Sequence, residues 1–192
     1  MTLPTEFIVH IAGTLERLGI PYHVGGSVAS SAHGMYRASA DVDFVIDPTP
    51  EQLEALARVL EPAFYVSRSA MAEALSRRST FNAIHDSTSF KIDFFIKGPA
   101  PFDSEELRRS IRQVVGAERM HTVLIKSPED TILRKLEWYR RGGEVSERQW
   151  QDVLSILAAM RGLLDESHLD RWAGELNVSD LLDRARREVA DL

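Results

Sequence analysis

Apolar residues recur along the chain with two periods, about 3.6 residues in some segments and two in others. The longer period, with capping and breaking residues, predicts helices near 6–18, 27–34, 51–60, 70–78, 104–109, 127–140, 146–160, 168–176 and 179–189. The two-residue period predicts strands near 22–24, 42–46, 64–66, 81–86, 89–97, 114–115 and 122–126. Strands therefore end near residue 126, and the remaining chain is predicted to be helical.

The change of character falls at Ser127, which has the features of a helix N-cap. Pro128 follows at the first helical position, and acidic residues occupy the first turn. No segment rich in proline or serine separates the two parts. We therefore expect an α/β core over residues 1–126 and a C-terminal helical region over 127–192 that packs on it.

Composition narrows the class of protein. The 192 residues include no cysteine, which excludes a disulfide framework and a thiolate metal site and fits a reducing compartment. No segment has the form of a signal peptide or the length of a membrane span, so we expect a cytoplasmic protein without a membrane partner. The net charge of -6 argues against unspecific coating of nucleic acid.

Three acidic residues interrupt apolar strands. Asp41 and Asp43 are two residues apart, so a strand presents them side by side on one face, and Asp93 lies in a later strand. Adjacent carboxylates repel unless a cation neutralises them, so the pattern predicts a site for one or two Mg²⁺ ions. The alternative is that the first two acids face solvent from an edge strand while Val42 and Phe44 face the core.

A turn of small residues precedes the acid pair. Gly25, Gly26 and Ser27 end a strand and open a helix, where backbone N–H groups and a hydroxyl can bind a phosphate. An ordinary strand-to-helix turn has the same composition. Arg37, four residues before Asp41, can pair with a phosphate or a carboxylate, or can be an exposed loop arginine.

The C-terminal helices offer two further candidates. Lys135 lies beside an apolar stripe, from which its ammonium group can reach a phosphate or extend to solvent. Asp152 can anchor that lysine or a ribose. The tryptophans at 138, 150 and 172 occupy helical positions and are interpreted as core or helix-interface residues, and the six histidines lack metal-ligand spacing.

Taken together, the segments 25–27, 37–43 and 91–93 resemble the motifs of the nucleotidyltransferase superfamily, which has the polymerase-β-like fold. The segments SPEDTILRKLEWY and RQWQDV resemble the C-terminal motifs of AbiEii-type nucleotidyltransferases, a branch found in bacterial toxin–antitoxin systems. The resemblance covers roughly residues 20–155. Ser39 stands where threonine is common, and Gln149 stands where aspartate is often seen.

The resemblance implies an α+β fold, with a nucleotidyltransferase-like mixed sheet flanked by helices and followed by a C-terminal helical bundle. It implies an enzyme that transfers NMP from an NTP to an acceptor hydroxyl and releases pyrophosphate. Its catalytic, metal-binding residues would be Asp41, Asp43 and Asp93, with Mg²⁺ as the cofactor. Its nucleotide-binding residues would be Gly25, Gly26, Ser27, Arg37, Lys135 and Asp152.

The resemblance leaves the acceptor open among transfer RNA, a protein hydroxyl and a small molecule. A toxin would have an antitoxin protein as its partner. Two alternatives keep the same fold: a non-catalytic nucleotide-sensing or partner-binding module, and a small-molecule, antibiotic-modifying nucleotidyltransferase. The second would need an acidic acceptor pocket, for which Glu73, Asp86 or Glu144 are candidates.

Overall fold

The computed structural model describes residues 3–36, 39, 41–115 and 121–191. Its strands are β1 Tyr22–Val24, β2 Asp41–Ile46, β3 Phe64–Val66, β4 Thr80–His85, β5 Lys91–Ile96, β6 Ile111–Val115 and β7 His121–Ile125. Its helices are α1 Leu3–Arg17, α2 Gly26–His33, α3 Pro50–Leu60, α4 Arg68–Arg77, α5 Pro101–Arg108, α6 Pro128–Arg141, α7 Glu147–Ala159, α8 Glu166–Glu175 and α9 Ser179–Ala190. The predicted α+β fold with C-terminal helices is confirmed.

The chain divides into two compact units. The first comprises Met1–Val28 and Ala38–Lys126 and contains the sheet, whereas the second comprises Ala29–Arg37 and Ser127–Leu192 and is helical. Helix α2 begins in the first unit and ends in the second. None of the helices in the described part of the chain is long and apolar enough to cross a membrane.

The first unit is built on one mixed sheet with the strand order β3-β4-β5-β2-β1-β7-β6. Strands β2 and β5 are parallel neighbours, and β1 runs antiparallel to β2 and parallel to β7. The acid-bearing strand β2 is therefore central, which contradicts the edge-strand alternative.

Alternating side chains of the two central strands form the core of this unit. On β2 and β5, every second residue is buried, and the residues between them are partly exposed. Phe44 and Phe94 are fully buried and stack with ring centroids 5.8 Å apart. Because strand side chains alternate between faces, this core fixes which face the acids occupy.

The second unit is held together by buried polar contacts as well as apolar ones. The Ser127 hydroxyl caps α6 by accepting from the Asp130 N–H, as predicted. The Asp130 carboxylate, which is fully buried, lies 2.7 Å from His168 Nε2 on α8. Of the tryptophans interpreted as core or helix-interface residues, Trp150 and Trp172 are buried, whereas Trp138 is 48% exposed and is therefore not a core residue.

The predicted start of the helix after β5 is also wrong. Helix α5 begins at Pro101 rather than near Ser104, because the proline occupies the first turn instead of preceding it. The Asp103 carboxylate accepts from the Ala100 N–H at 2.9 Å, and this contact closes the new N-terminus.

Candidate active site

The three predicted acids share one face of the sheet. Asp43 on β2 is in register with Asp93 on β5, and Asp41 is in register with Lys91. Side chains of register partners, and of residues two apart, point to the same face of a sheet. That face therefore carries Asp41, Asp43, Lys91 and Asp93 opposite the apolar core.

The Asp43 carboxylate packs directly against Gly26. Gly26 has a φ of +53°, and a Cβ at this position would lie 1.7 Å from Asp43 Oδ2. Every other residue type carries a Cβ, so only glycine accommodates both this backbone conformation and this contact. Gly26 thus determines where the Asp43 carboxylate can lie.

The small-residue turn is bonded to the acid strand. The Gly25 N–H donates to the Asp43 carbonyl at 2.9 Å, so this N–H, which was expected to be open to an anion, is engaged in the sheet. The Ser27 hydroxyl donates to Ser39 Oγ at 2.6 Å, and Ser39 donates to Asp41 Oδ1 at 2.9 Å. This hydroxyl relay orients Asp41 from the start of α2.

A lysine lies among the acids, and the sequence analysis missed it. The Lys91 ammonium lies 2.7 Å from Asp93 Oδ2, on a side chain that is 44% exposed. Its hydrogen bond to Asp93 raises the pKa of Lys91, and the charges of Asp93, Asp41 and Asp43 act in the same direction. The spacing Lys-x-Asp within a strand could have revealed it, because residues two apart share a face.

A second missed lysine lies beside the turn. Lys126 directly follows β7, and its N–H donates to the Val24 carbonyl at 2.9 Å. Its ammonium pairs with Glu106 Oε2 at 2.8 Å, and both side chains are almost completely buried. A Cβ at Gly25 would lie 3.8 Å from Lys126 Cε, which places the lysine stem against the turn. No local sequence pattern links Glu106 to Lys126, because they lie on different elements.

In the second unit the structure brings the two predicted helical residues together. Lys135 Nζ on α6 lies 2.7 Å from Asp152 Oδ2 on α7, with both side chains largely buried. The Lys135 ammonium therefore does not extend to solvent, and Asp152 anchors it. Arg37, the remaining predicted residue, lies outside the described residues.

The residues can be tested against the expected Mg²⁺ by the chemistry of their donor groups. Three carboxylates on one sheet face supply the hard oxygen ligands that Mg²⁺ prefers, so the donor set fits. Each carboxylate has its own contact in the structure: Asp41 with Ser39, Asp43 with Gly26 and Asp93 with Lys91. The fit is therefore one of donor chemistry and not of present geometry, because within residues 3–36, 39, 41–115 and 121–191 no three His, Asp or Glu side chains are gathered tightly enough to hold a metal ion.

A known protein family matches most of the chain. The model of the family described as "Nucleotidyl transferase AbiEii toxin, Type IV TA system" matches residues 24–173. The chain belongs to the AbiEii nucleotidyltransferase family. The match to this AbiEii family confirms the resemblance seen in the motifs, and it spans the acid strands as well as the Lys135–Asp152 pair. No curated protein matches the chain in sequence.

Solved structures share the fold of this chain. An antigenic nucleotidyltransferase-like protein from Paracoccidioides brasiliensis aligns with a TM-score of 0.57 at 16% identity, covering 95% of this chain and 91% of that chain. The antibiotic-resistance factor ANT(2'')-Ia aligns with a TM-score of 0.55 at 17% identity, covering 100% and 97%. At these identities the similarity shows the nucleotidyltransferase fold.

Proposed function

We propose that this AbiEii-family protein transfers NMP from an NTP to an acceptor hydroxyl and releases pyrophosphate. The observation that carries the proposal is the set of three carboxylates on one face of two parallel neighbouring strands, with Asp43 and Asp93 in register. The Gly26 contact, which leaves no room for another residue type beside Asp43, supports the same assignment.

The proposed chemistry needs a divalent cation and a nucleotide. Asp41, Asp43 and Asp93 would hold Mg²⁺, which would supply Lewis-acid stabilisation of charge at the α-phosphate. The Ser27–Ser39 relay donates to Asp41 Oδ1 and so keeps the other oxygen of that carboxylate oriented as an acceptor. Asp93, which lies on a separate strand from the acid pair, is the proposed base for the acceptor hydroxyl.

The remaining residues are proposed to bind the nucleotide. The first turn of α2 presents the positive end of a helix to a phosphate, next to Gly25, Gly26 and Ser27. Lys135, with Asp152 fixing its ammonium, and Arg37 are proposed to neutralise phosphate charge. Because Asp152 and Lys135 are largely buried, their pairing limits the orientations that the ammonium can adopt.

We further propose a role as the toxin of a type IV toxin–antitoxin system, with an antitoxin protein as partner and a cytoplasmic location. The family description supports this role. The acceptor stays open among transfer RNA, a protein hydroxyl and a small molecule. Similarity to the antibiotic-resistance factor ANT(2'')-Ia makes an antibiotic one candidate acceptor. At 17% identity, that similarity shows the fold alone.

The experiment is a calorimetric titration of the four NTPs into the protein with and without Mg²⁺. Wild type is compared with the double variant Asp41→Asn/Asp43→Asn and with Lys135→Met. We expect Mg²⁺-dependent binding by wild type, no such binding by the double variant, and weaker binding of at least about tenfold by Lys135→Met. The base preferred by wild type then directs the search for the acceptor.

The control is Glu61→Gln, which changes an exposed acid whose partner is Arg68. It should bind NTP as wild type does. Equal Mg²⁺-dependent binding by wild type and the double aspartate variant would overturn the proposed site. Failure of folded wild type to bind any NTP would instead favour a partner-binding module on the same fold.

A further inference from the structure

The acid face contains a cation of its own. Lys91 occupies the β5 position two residues before Asp93 and is the register partner of Asp41 on β2. Its Cα therefore lies about 5 Å from that of Asp41, and its side chain leaves the same face of the sheet. A lysine at the next position of β5, residue 92, would have faced the apolar core.

The contact engages one oxygen of the Asp93 carboxylate, a group that the proposed function assigns to the metal. Lys91 Nζ lies 2.7 Å from Asp93 Oδ2, and the Asp93 side chain is only 19% exposed. A divalent cation that binds through this oxygen must share it with the ammonium or displace the ammonium. Binding of metal and the position of Lys91 are therefore coupled.

The charges point the same way. Among the described residues of this face, three carboxylates and one ammonium carry two net negative charges, which one divalent ion neutralises. A second divalent ion would make the assembly positive before any triphosphate arrives, and its repulsion from the ammonium at this short range is unfavourable. A partly exposed ion pair of this kind contributes little to folding stability. A contribution to stability therefore does not explain why a lysine occupies position 91.

We propose that Lys91 is a positioning residue that serves as the resident cation of the acid face, competing for Asp93 and limiting the nucleotide-free protein to one weakly bound divalent ion. The proposal rests on the proposed function, because it takes the three acids as metal ligands. It replaces the expectation of one or two ions with a specific occupancy and names the side chain that sets it.

The test measures Mn²⁺ binding by electron paramagnetic resonance, in which the signal of unbound Mn²⁺ is lost on binding, without nucleotide. Wild type is compared with Lys91→Met, Lys91→Gln and Lys91→Arg. We expect the two neutral variants to bind Mn²⁺ at least about tenfold more tightly than wild type and to take up a second ion. Lys91→Arg, which keeps the charge, should retain the wild-type occupancy of one.

A matched control is Lys97→Met. Lys97 directly follows β5, and its ammonium pairs with Asp47 rather than with the acid face. It should bind Mn²⁺ as wild type does. Unchanged or weaker Mn²⁺ binding by both neutral variants would overturn the proposal. That includes the case in which they lose only NTP affinity, which would make Lys91 a phosphate ligand.

Failure of this inference can be told from failure of the proposed function. If Asp41→Asn/Asp43→Asn abolishes Mn²⁺ binding while the neutral Lys91 variants match wild type, the metal site stands and the role of Lys91 is wrong. If wild type binds no Mn²⁺ even with ATP present, the metal site itself fails, and the inference fails with it. Urea unfolding of each variant establishes that it is folded.

Discussion

Replacing Gly26 with alanine should dislodge the Asp43 carboxylate from the acid face. The added Cβ would lie 1.7 Å from Oδ2, 2.6 Å from Cγ and 3.1 Å from Cβ of Asp43. The carboxylate must therefore move by about 1.7 Å to reach the 3.4 Å of ordinary van der Waals contact. Because the Asp43 Cβ is also crowded, a small rotation of the carboxylate does not relieve the collision.

The cost has two parts that can be estimated separately. Alanine at a φ of +53° is strained by about 1–2 kcal/mol. The collision with Asp43 adds about 1–3 kcal/mol, as in other overpacked positions. We therefore expect Gly26→Ala to lower the free energy of unfolding by about 2–5 kcal/mol and to weaken Mn²⁺ binding by at least about tenfold.

Two glycines of the same chain serve as controls. Gly162 has a φ of +77° and nothing within 4 Å of a built Cβ, so Gly162→Ala isolates the backbone strain. Gly25→Ala places its Cβ in ordinary contact, 3.8 Å from Lys126 Cε, and tests a side chain in the same turn without the collision. Urea denaturation and Mn²⁺ titration are measured on all three variants. A Gly26→Ala protein that binds Mn²⁺ like wild type and is no less stable than Gly162→Ala would refute the reasoning.

Two further predictions concern buried groups of the first unit. Burial raises the pKa of Tyr22 to about 12, so the unfolded chain loses this proton first, and the free energy of unfolding should fall as the pH rises from 9, by about 1 kcal/mol at pH 11. Tyr22→Phe should remove that part of the decline in urea unfolding measured across this range, and an unchanged decline would count against it. Glu106→Gln removes the buried carboxylate that pairs with the Lys126 ammonium and should cost about 3–5 kcal/mol, most of which Glu106→Leu combined with Lys126→Met recovers. A single-variant cost below about 1 kcal/mol would contradict this account.

Local pattern was sufficient for the strands that carry the acids. The two-residue period of β2 and β5 predicted which residues face the core, and burial alternates as expected. The strand register could not be predicted from local pattern, because the pairing of Asp43 with Asp93 joins strands that are far apart in the sequence. Pairing of this kind depends on the whole sheet rather than on neighbouring residues.

Lys91 and the Glu106–Lys126 pair were not predicted, for different reasons. Lys91 could have been predicted from the sequence, since the spacing Lys-x-Asp in a strand places both side chains on one face. The Glu106–Lys126 pair could not, because it forms only when α5 and the end of β7 meet. Helical spacing alone predicted Trp138 to be a core or helix-interface residue, and its side chain is 48% exposed in the fold, so it is not part of the core.

The central claim is nucleotidyl transfer at the acid face, and the fate of the α-phosphate tests it most directly. Wild type and Asp41→Asn/Asp43→Asn are incubated with Mg²⁺, bacterial RNA and protein, and NTPs labelled at either the α- or the γ-phosphate. The account predicts that wild type transfers the α-label to an acceptor and releases the γ-label as pyrophosphate. It predicts that the double variant does neither. Transfer of the γ-label, or equal α-labelling by the double variant, would contradict it.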